Sequence, residues 1–418
     1  MTALRNVRPG FIRQAGPATF RGQSRPDVFS RGQCGDSRRG VISLWTSGVL
    51  ACCGFTAFCV ISIWLDCGRL LHAKHATESA ALAAAHAWLT DDLLRAGPAS
   101  FEAEARTIRC KEAAEQALSD YRTVSAALQM GPADPELIWR GVVSPDAVFP
   151  RVPAAVRISV PNTLAFTSTG LARLLSGQVP YAASTAALEN HPASLCPAPG
   201  CSISFLPFAA LEGASGLWAQ LLEQGVGVDV WAWNADRREF EPGPDGIPEI
   251  SVELSADASG GGAESGLVPL LLRPAVGSGA LLTTHAEVIR SGLTRECLEK
   301  LGLAEWKYPS LVGSTTLSSG ELSECVAVLA EYPTEPRILS LATVPTVVAA
   351  ADPPGGVVPV GAPLQVLTPV AVRVASLTLK SDGAASITLQ PCILVSAMIR
   401  TDSRAPESRC IYSVRLVE

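Results

Sequence analysis

The strongest constraint on the fold of this chain is one uncharged run near its start. Residues 41–65 contain no Asp, Glu, Lys, Arg or His; Arg38 and Arg39 precede the run, and Asp66 and Arg69 follow it. An α-helix rises about 1.5 Å per residue and a bilayer core is about 30 Å thick, so about 20 apolar residues cross it. These 25 residues therefore predict one transmembrane helix with some tilt.

The distribution of charge predicts how this helix is oriented. Residues 1–40 hold eight Arg, no Lys and two Asp, a net charge of 8 − 2 = +6, while the whole chain carries −6 and residues 41–418 therefore carry −6 − 6 = −12. Cationic flanks stay in the cytoplasm, which predicts an inner (cytoplasmic) membrane protein with a cytoplasmic N-terminus and a periplasmic or extracytoplasmic C-terminal part. A basic arm can also bind nucleic acid, but no aromatic or motif context supports that partner here.

The uncharged run differs from a cleaved secretory signal. Such signals have a short basic start and an apolar core of about 7–15 residues. Here 40 residues precede the run, the run itself has 25 residues, and the segment after it holds Asp66, Arg69 and Lys74 rather than a cleavage site. We therefore expect a permanent anchor in the lipid bilayer.

The cysteines fit an exported domain. Of the twelve cysteines, Cys52, Cys53 and Cys59 lie in the apolar run, and Cys34 precedes it. The other eight, an even number, are expected beyond the membrane, where disulfides can persist. Two candidate pairs stand out: Cys196 with Cys201, which flank a short Pro-rich loop, and Cys392 with Cys410, which strand pairing could bring together. The remaining connectivity is open. Zinc is the rival hypothesis, but paired C-x-x-C elements are absent, so no metal site is predicted.

The chain divides into six segments by composition and periodicity. We expect an α+β fold in which the transmembrane helix continues into a helical stalk. A mixed, β-rich extracytoplasmic part follows, either as one composite domain or as two lobes split near residues 255–266. The segments are a basic cytoplasmic arm (1–40), the transmembrane helix (41–65), the stalk (66–131), an α+β lobe (132–254), a flexible Gly/Ser-rich linker (255–266) and a β-rich second lobe (267–418).

Local signals predict individual elements. Alanine is the best helix former, and residues 80–87 are nearly all alanine. Ser318 stands three residues before Glu321, the spacing of a capping box, ahead of a helix over 322–330. An Asp-Gly pair at 382–383 between apolar runs predicts a β-hairpin.

The membrane exit resembles a known family. The sequence Leu65-Asp66-Cys67-Gly68-Arg69 is followed by the alanine-rich segment 76–85. This region resembles TadG-like proteins of the tight-adherence (Flp) pilus assembly system, which show an Arg-Gly start to an apolar helix, a V-D-x-G-R motif and then a helix such as Q-x-A-A-D-A-A-A-L-A-A. In this chain Arg39-Gly40 corresponds to the Arg-Gly start of the helix, and Glu78 stands at the position of the family's Asp. The match covers about residues 38–90.

The resemblance implies a non-enzymatic, membrane-anchored component that helps to build, anchor or terminate a surface fibre or its export machine. Its expected partners are other pilus-assembly or envelope proteins. Processed pilins of this system are cut after a Gly and keep a Glu five residues on, whereas here Trp45 is the fifth residue after Gly40. Pilin-type processing is therefore not expected. Asp66 and Arg69 at the membrane edge either dock another membrane helix or set the depth of this one.

Two groups of polar residues have simpler interpretations than a metal site. The group His72, His75, Glu78 and His86 has helical spacing that metal ligands can use, but H-E-x-x-H is absent and a polar interfacial face explains it. The group Asn234, Asp236, Asp245 and Glu249 lacks a calcium-loop pattern, which favours a solvated hairpin. No cofactor and no small-molecule substrate are predicted.

The search for enzyme motifs is largely negative. The sequence holds no G-x-S-x-G elbow, no Walker loop and no dinucleotide fingerprint, and His191 and His285 are the only histidines in the distal domain. A pair of catalytic carboxylates has no spacing rule and stays open. The alternatives are therefore a membrane-tethered envelope hydrolase and an envelope-anchored binding module.

Overall fold

The structure of the protein is a computed structural model of the 418-residue chain. It describes residues 36–95, 103–124, 131–141, 151–161, 181–212, 216–255, 266–272, 284–344, 363–381 and 383–417. The chain forms two compact units, which divide between Ser62 and Ile63. Mixed helices and strands in the second unit confirm the predicted α+β class.

The first helix, α1 (Asp36–Trp88), contains the whole uncharged run. Its segment Ser43–Ser62 is long and apolar enough to cross a membrane, and none of it is buried inside the protein. Large apolar side chains such as Leu44, Trp45 and Phe55 are more than two-thirds exposed to solvent. One helix that could span a membrane was predicted, and one is observed in the described part of the chain.

The C-terminal part of α1 carries a face that is buried in the core of the second unit. Its members follow helical spacing and are at most 1% exposed: Ala73, Ala76, Ala80, Ala81, Ala84, Ala85 and Trp88. We call these seven residues the alanine face. Alanine methyl groups let a helix approach its neighbours closely. A helix was expected here, but as a stalk; the structure instead packs this part of α1 into the core.

Helix α2 (Ala103–Val124) packs beside α1 and completes this helical layer. Its buried residues Cys110, Ala114 and Leu118 recur every four positions, as one face of a helix does. The Ser79 and Tyr121 hydroxyls lie 3.0 Å apart and join the two helices. Because both helices of the predicted stalk share this core, the described parts of segment 66–131 belong to the domain in the structure.

The first sheet has five strands in the order β1-β2-β3-β19-β17. They are β1 (Asp134–Gly141), β2 (Arg151–Pro161), β3 (Tyr181–Glu189), β17 (Leu394–Val395) and β19 (Ile411–Val417). All pairs are antiparallel except β17 with β19. Helix α1 contacts this sheet: the Thr77 and Ser184 hydroxyls are 2.9 Å apart, and the rings of Trp88 and Trp139 meet edge to face at 4.8 Å.

The second sheet has seven strands in the order β10-β6-β14-β15-β16-β9, with β13 on β15. They are β6 (Phe205–Leu211), β9 (Ile250–Leu254), β10 (Leu267–Pro269), β13 (Ser310–Gly313), β14 (Arg337–Thr343), β15 (Pro363–Leu379) and β16 (Ala385–Pro391). Strands β6 and β14 are parallel, and the other pairs are antiparallel. The predicted hairpin is confirmed between β15 and β16, where Gly383 has a φ of 84°.

Short helices and strands complete the domain. The helices are α3 (Leu217–Ala219), which runs into a π-helical turn (Gln220–Gln224), α4 (His285–Ser291), α5 (Arg295–Lys300) and α6 (Ser319–Glu331). The remaining strands are β4 (Pro192–Leu195), β5 (Ser202–Ile203), β7 (Trp231–Asn234), β8 (Glu239–Pro242), β11 (Leu293–Thr294), β12 (Trp306–Lys307) and β18 (Ile399–Thr401). The capping box predicted at Ser318 and Glu321 is present at the start of α6.

Of the two arrangements expected, one composite domain or two lobes split near residues 255–266, the strand pairing favours the composite domain. Strand β9, before that segment, pairs with β16, after it, and β6 lies between β10 and β14. Strand β3 likewise pairs with β19 at the far end of the chain. Residues 63–418 therefore form one unit, because both sheets are assembled from strands that are distant in sequence.

Candidate functional site

The family-motif residues are spread along helix α1. The side chains of Arg39, Asp66 and Arg69 lie outside the described residues, and so does the surrounding of Gly40. Gly68 is described, and a Cβ added to it would meet nothing within 4 Å. Glu78 is ten residues further on, about 15 Å along the helix axis. The motif therefore marks positions on one helix rather than a single cluster of side chains.

Glu78 and the histidines of α1 form local polar contacts. Glu78 Oε2 is 3.1 Å from His75 Nδ1, and Glu78 Oε1 is 3.7 Å from Lys74 Nζ. His72 and His86 are exposed. Among the residues searched, no group of three or more His, Cys, Asp or Glu is placed to hold a metal ion.

An ion pair whose two side chains are 10% and 17% exposed joins the end of the α1 region to the second sheet. A 3₁₀ turn (Asp91–Leu94) follows α1, and Asp91 accepts a hydrogen bond from the Ile393 N–H at 2.6 Å. Its other oxygen accepts a hydrogen bond from Arg373 Nη1. The Arg373 guanidinium also lies over the Trp233 ring, 4.4 Å from its centre. We call Asp91, Arg373, Trp233 and Ile393 the Asp91 clamp.

Three carboxylates cross-link the loop from residue 229 to residue 249, which we call the carboxylate loop. Asp229 accepts the N–H groups of residues 245 and 246 at 3.0 and 2.8 Å. Asp245 accepts those of residues 233 and 247 at 3.1 and 2.9 Å. Glu249 accepts those of residues 230 and 231, both at 3.0 Å. Every carboxylate oxygen of the three therefore binds a backbone amide.

Gln390 joins two of these carboxylates. Its Nε2 lies 3.2 Å from Glu249 Oε1 and 3.4 Å from both oxygens of Asp245. Burial raises the pKa of Asp245 and of Glu249, and this desolvation outweighs the backbone N–H groups that favour the charged forms. The two carboxyls are thus close together with raised pKa values, although their oxygens already serve as acceptors for the loop.

The predicted acidic group therefore separates into two parts. Asp245 and Glu249 meet at Gln390, while Asn234 accepts the N–H groups of Asp236 and Arg237 at 3.1 Å and closes the turn between β7 and β8. Asn234 thus acts as a turn residue with a local backbone role. The hairpin turn is exposed as predicted, but Glu249 is buried rather than solvated, because its carboxylate holds the backbone of the loop.

Sequence reasoning missed Asp91, Asp229, Arg373 and Gln390. A usable signal did exist for two of them. Arg373 interrupts the apolar run 370–375, and Gln390 is the only amide side chain of strand β16, next to its last residue. A single charged or amide side chain in an otherwise apolar strand requires a buried partner, because burying it without a hydrogen bond is costly. The sequence does not show which distant residue supplies that partner.

The candidate disulfides are not formed in the structure. The ten cysteines whose side chains the structure describes are free, including Cys196 and Cys201 at a surface turn. Cys392 and Cys410 are fully buried neighbours: the Cys392 N–H donates to the Ala371 carbonyl at 3.0 Å, and the Leu394 N–H donates to the Cys410 carbonyl at 2.8 Å. Burial raises the pKa of Cys410 to about 12, and that of Cys392 well above its ordinary value.

Comparisons with known proteins identify no relative of this chain. The chain matches no protein-family model, no curated protein and no solved structure.

Proposed function

We propose that this protein is a non-enzymatic, single-pass membrane component of tight-adherence (Flp) pilus assembly or secretion, similar to TadG-like proteins. Its basic arm lies in the cytoplasm, and its C-terminal domain lies outside the inner membrane. The observation that carries the proposal is the composition of α1: one helix contains a membrane-length apolar segment, the motif positions 65–69 and the buried alanine face.

The three carboxylates of the carboxylate loop have a structural role, and this role supports a non-enzymatic function. A general acid or base needs a carboxyl group that can reach the proton of a substrate. The oxygens of Asp229, Asp245 and Glu249 instead accept backbone N–H groups within their own loop. These contacts use the carboxylates to hold the loop.

Gene deletion with complementation tests the proposed function. Deletion should abolish surface fibres seen by electron microscopy and reduce adherence, and the wild-type gene should restore both. The double variant Asp66→Asn/Arg69→Gln should not restore fibres although the protein accumulates in the membrane, because the motif charges are lost. The matched control Glu104→Gln/Arg109→Gln, on helix α2, should restore them. Unchanged fibres and adherence after deletion would contradict the proposal.

One observation favours a second function, a membrane-tethered envelope hydrolase. Asp245 and Glu249 meet at Gln390 with raised pKa values, and such carboxyl pairs serve glycoside hydrolysis. Full-length protein should then release soluble fragments from purified cell-wall polymer, and Glu249→Gln should abolish that release. Equal release by the wild type and by Glu249→Gln, or none by either, rejects the hydrolase.

A further inference from the structure

The side-chain nitrogen of Gln390 lies among five oxygen atoms. Its Nε2 is 3.0 Å from the Trp231 carbonyl oxygen and 3.2 Å from the Ile247 carbonyl oxygen. The other three are carboxylate oxygens, at 3.2 Å for Glu249 Oε1 and 3.4 Å for both oxygens of Asp245. An amide nitrogen carries only two hydrogens, so it cannot donate to all five oxygens at once. The group therefore holds more hydrogen-bond acceptors than this donor can serve.

The two carboxyls of this group lie close to each other and away from water. Gln390 is 1% exposed and Glu249 is 4% exposed, while Asp245 is partly buried. Charges interact more strongly in such surroundings than in water, so two ionised carboxylates repel each other here. One proton on the pair removes that repulsion and supplies a third hydrogen to the five oxygens. The proton belongs to the pair rather than to one residue, as in other coupled carboxyls.

The charged groups nearest to the pair do not neutralise it. Burial is the main cause of the raised pKa values of Asp245 and Glu249, and Asp229 of the same loop raises both further. Arg95 acts in the opposite direction on Asp245, but its guanidinium is already bound to Asp92 at 3.2 Å. The Arg95 side chain is also 46% exposed, where water screens its charge. Uptake of a proton is therefore the direct way to reduce the negative charge of the pair.

The neighbouring strand β15 faces this group with Arg373, which is paired in register with Gln390 of β16. The Arg373 guanidinium is bound to Asp91 and lies over the Trp233 ring. The Trp233 N–H in turn donates to Asp245 at 3.1 Å. The carboxylate loop and the Asp91 clamp therefore form one connected set of contacts, in which Arg373 already has its own carboxylate.

We propose that the carboxylate loop is an acid-operated latch, in which one proton taken up by the Asp245–Glu249 pair fixes the loop against Gln390. Without that proton, repulsion between the two carboxylates opposes the backbone contacts that hold the loop, and the loop opens more often. The folded pKa values of both groups are raised, so the stabilisation is fully present below their unfolded pKa values of about 4. It is lost as the pH rises through the folded values. This inference does not depend on the proposed function.

Hydrogen exchange measured by mass spectrometry tests the latch with the full-length protein in detergent between pH 8 and pH 5. The amides of residues 230–247 report the state of the loop, because several of them donate to its carboxylates. Their protection is corrected for the intrinsic effect of pH on amide exchange. We expect this protection to increase about ten-fold as the pH falls. Protection that stays constant or decreases on acidification would overturn the inference, and this result requires no variant.

Matched variants show which groups take up the proton. Glu249→Gln and Asp245→Asn each remove one of the two charges, so each should reduce the increase in protection, and the double variant should abolish it. Asp236→Asn, in the exposed turn of the neighbouring hairpin, should keep the wild-type increase. An increase that both single variants retain in full would place the proton elsewhere and overturn the inference. If the double variant does not fold, the two single variants still decide the question.

Discussion

At the scale of single residues, the buried polar groups differ in how well they are satisfied. Arg337 is only 1% exposed, and its three guanidinium nitrogens have no hydrogen-bond partner among the described residues. Its nearest carboxylate is Glu335, at 3.7 Å. Burial lowers the pKa of Arg337, which reflects the same cost of removing the charge from water.

We therefore expect Arg337→Met to stabilise the domain. Replacing a poorly compensated buried charge with an apolar side chain of similar volume is often stabilising, by about 1–4 kcal/mol. Thermal unfolding of the detergent-solubilised protein measures the effect, and Arg404→Met at an exposed position is the matched control. A lower melting temperature for Arg337→Met than for Arg404→Met would show that the guanidinium is compensated.

In the Asp91 clamp, by contrast, we expect that removing one charge destabilises the domain. Asp91→Asn keeps the shape of the side chain but leaves the buried Arg373 guanidinium without its carboxylate. Breaking one partner of a buried pair costs about 3–5 kcal/mol. Unfolding of the variant in urea should show this loss, whereas Asp236→Asn in the exposed hairpin turn should change stability little. Equal midpoints for the two variants would contradict the clamp.

The pKa directions predict two opposite dependences on pH. The folded pKa of Glu249 is raised by burial, so the folded state holds its proton more tightly and gains stability as the pH falls from neutral towards 4.5. The folded pKa of Glu321 is lowered by its capping hydrogen bonds with Ser318, so its contribution is present above the unfolded pKa and is lost as the pH falls. The stability difference between wild type and Glu249→Gln should therefore increase on acidification, while that between wild type and Glu321→Gln should decrease. Unfolding at a series of pH values measures both, and equal slopes would contradict the assignment.

At the scale of elements, α1 combines two kinds of surface. Residues 43–62 present large apolar side chains outward, while the alanine face presents small ones to the core. Helix formation was predictable from alanine propensity. Burial of that face was not, because alanine suits both an exposed helix and a closely packed one, and the Trp139 ring that meets Trp88 lies far along the chain.

Because the alanine face is closely packed, we expect a larger side chain to destabilise the protein much more at a buried position than at its neighbour. Ala84 is fully buried, so Ala84→Leu inserts three extra carbons where there is no space and should cost about 1–3 kcal/mol. Ala83 is only half-buried, so Ala83→Leu should cost less. Both variants preserve helix propensity, and thermal unfolding of the full-length protein compares them. Equal losses would mean that the face is loosely packed.

Local signals also set the limit of prediction for the other elements. The capping box at Ser318 and the hairpin around Gly383 were predictable because their chemistry lies within a few residues. The Asp91 clamp joins residues about 280 positions apart, and the carboxylate loop depends on Gln390 from a distant strand. Sequence periodicity places each of these residues in an element, but it does not indicate which elements meet.

At the scale of the whole molecule, segment 255–266 shows the same limit. Its Gly/Ser-rich composition predicted a linker between lobes, yet strands before and after it share one sheet. Residues 256–265 lie outside the described residues, and composition does not indicate which of the flanking strands pair. The α+β class and the single apolar helix were predictable, because both depend on the periodicity and length of local runs.

The central claim is that a single helix anchors an extracytoplasmic domain with its basic arm inside the cell. Protease treatment of intact spheroplasts that express the protein with distinct epitope tags at its two ends tests this claim directly. We predict that the C-terminal tag is digested, while the N-terminal tag survives on a membrane-bound fragment that ends after Asp66. A C-terminal tag that stays protected until the membrane is lysed would contradict the account.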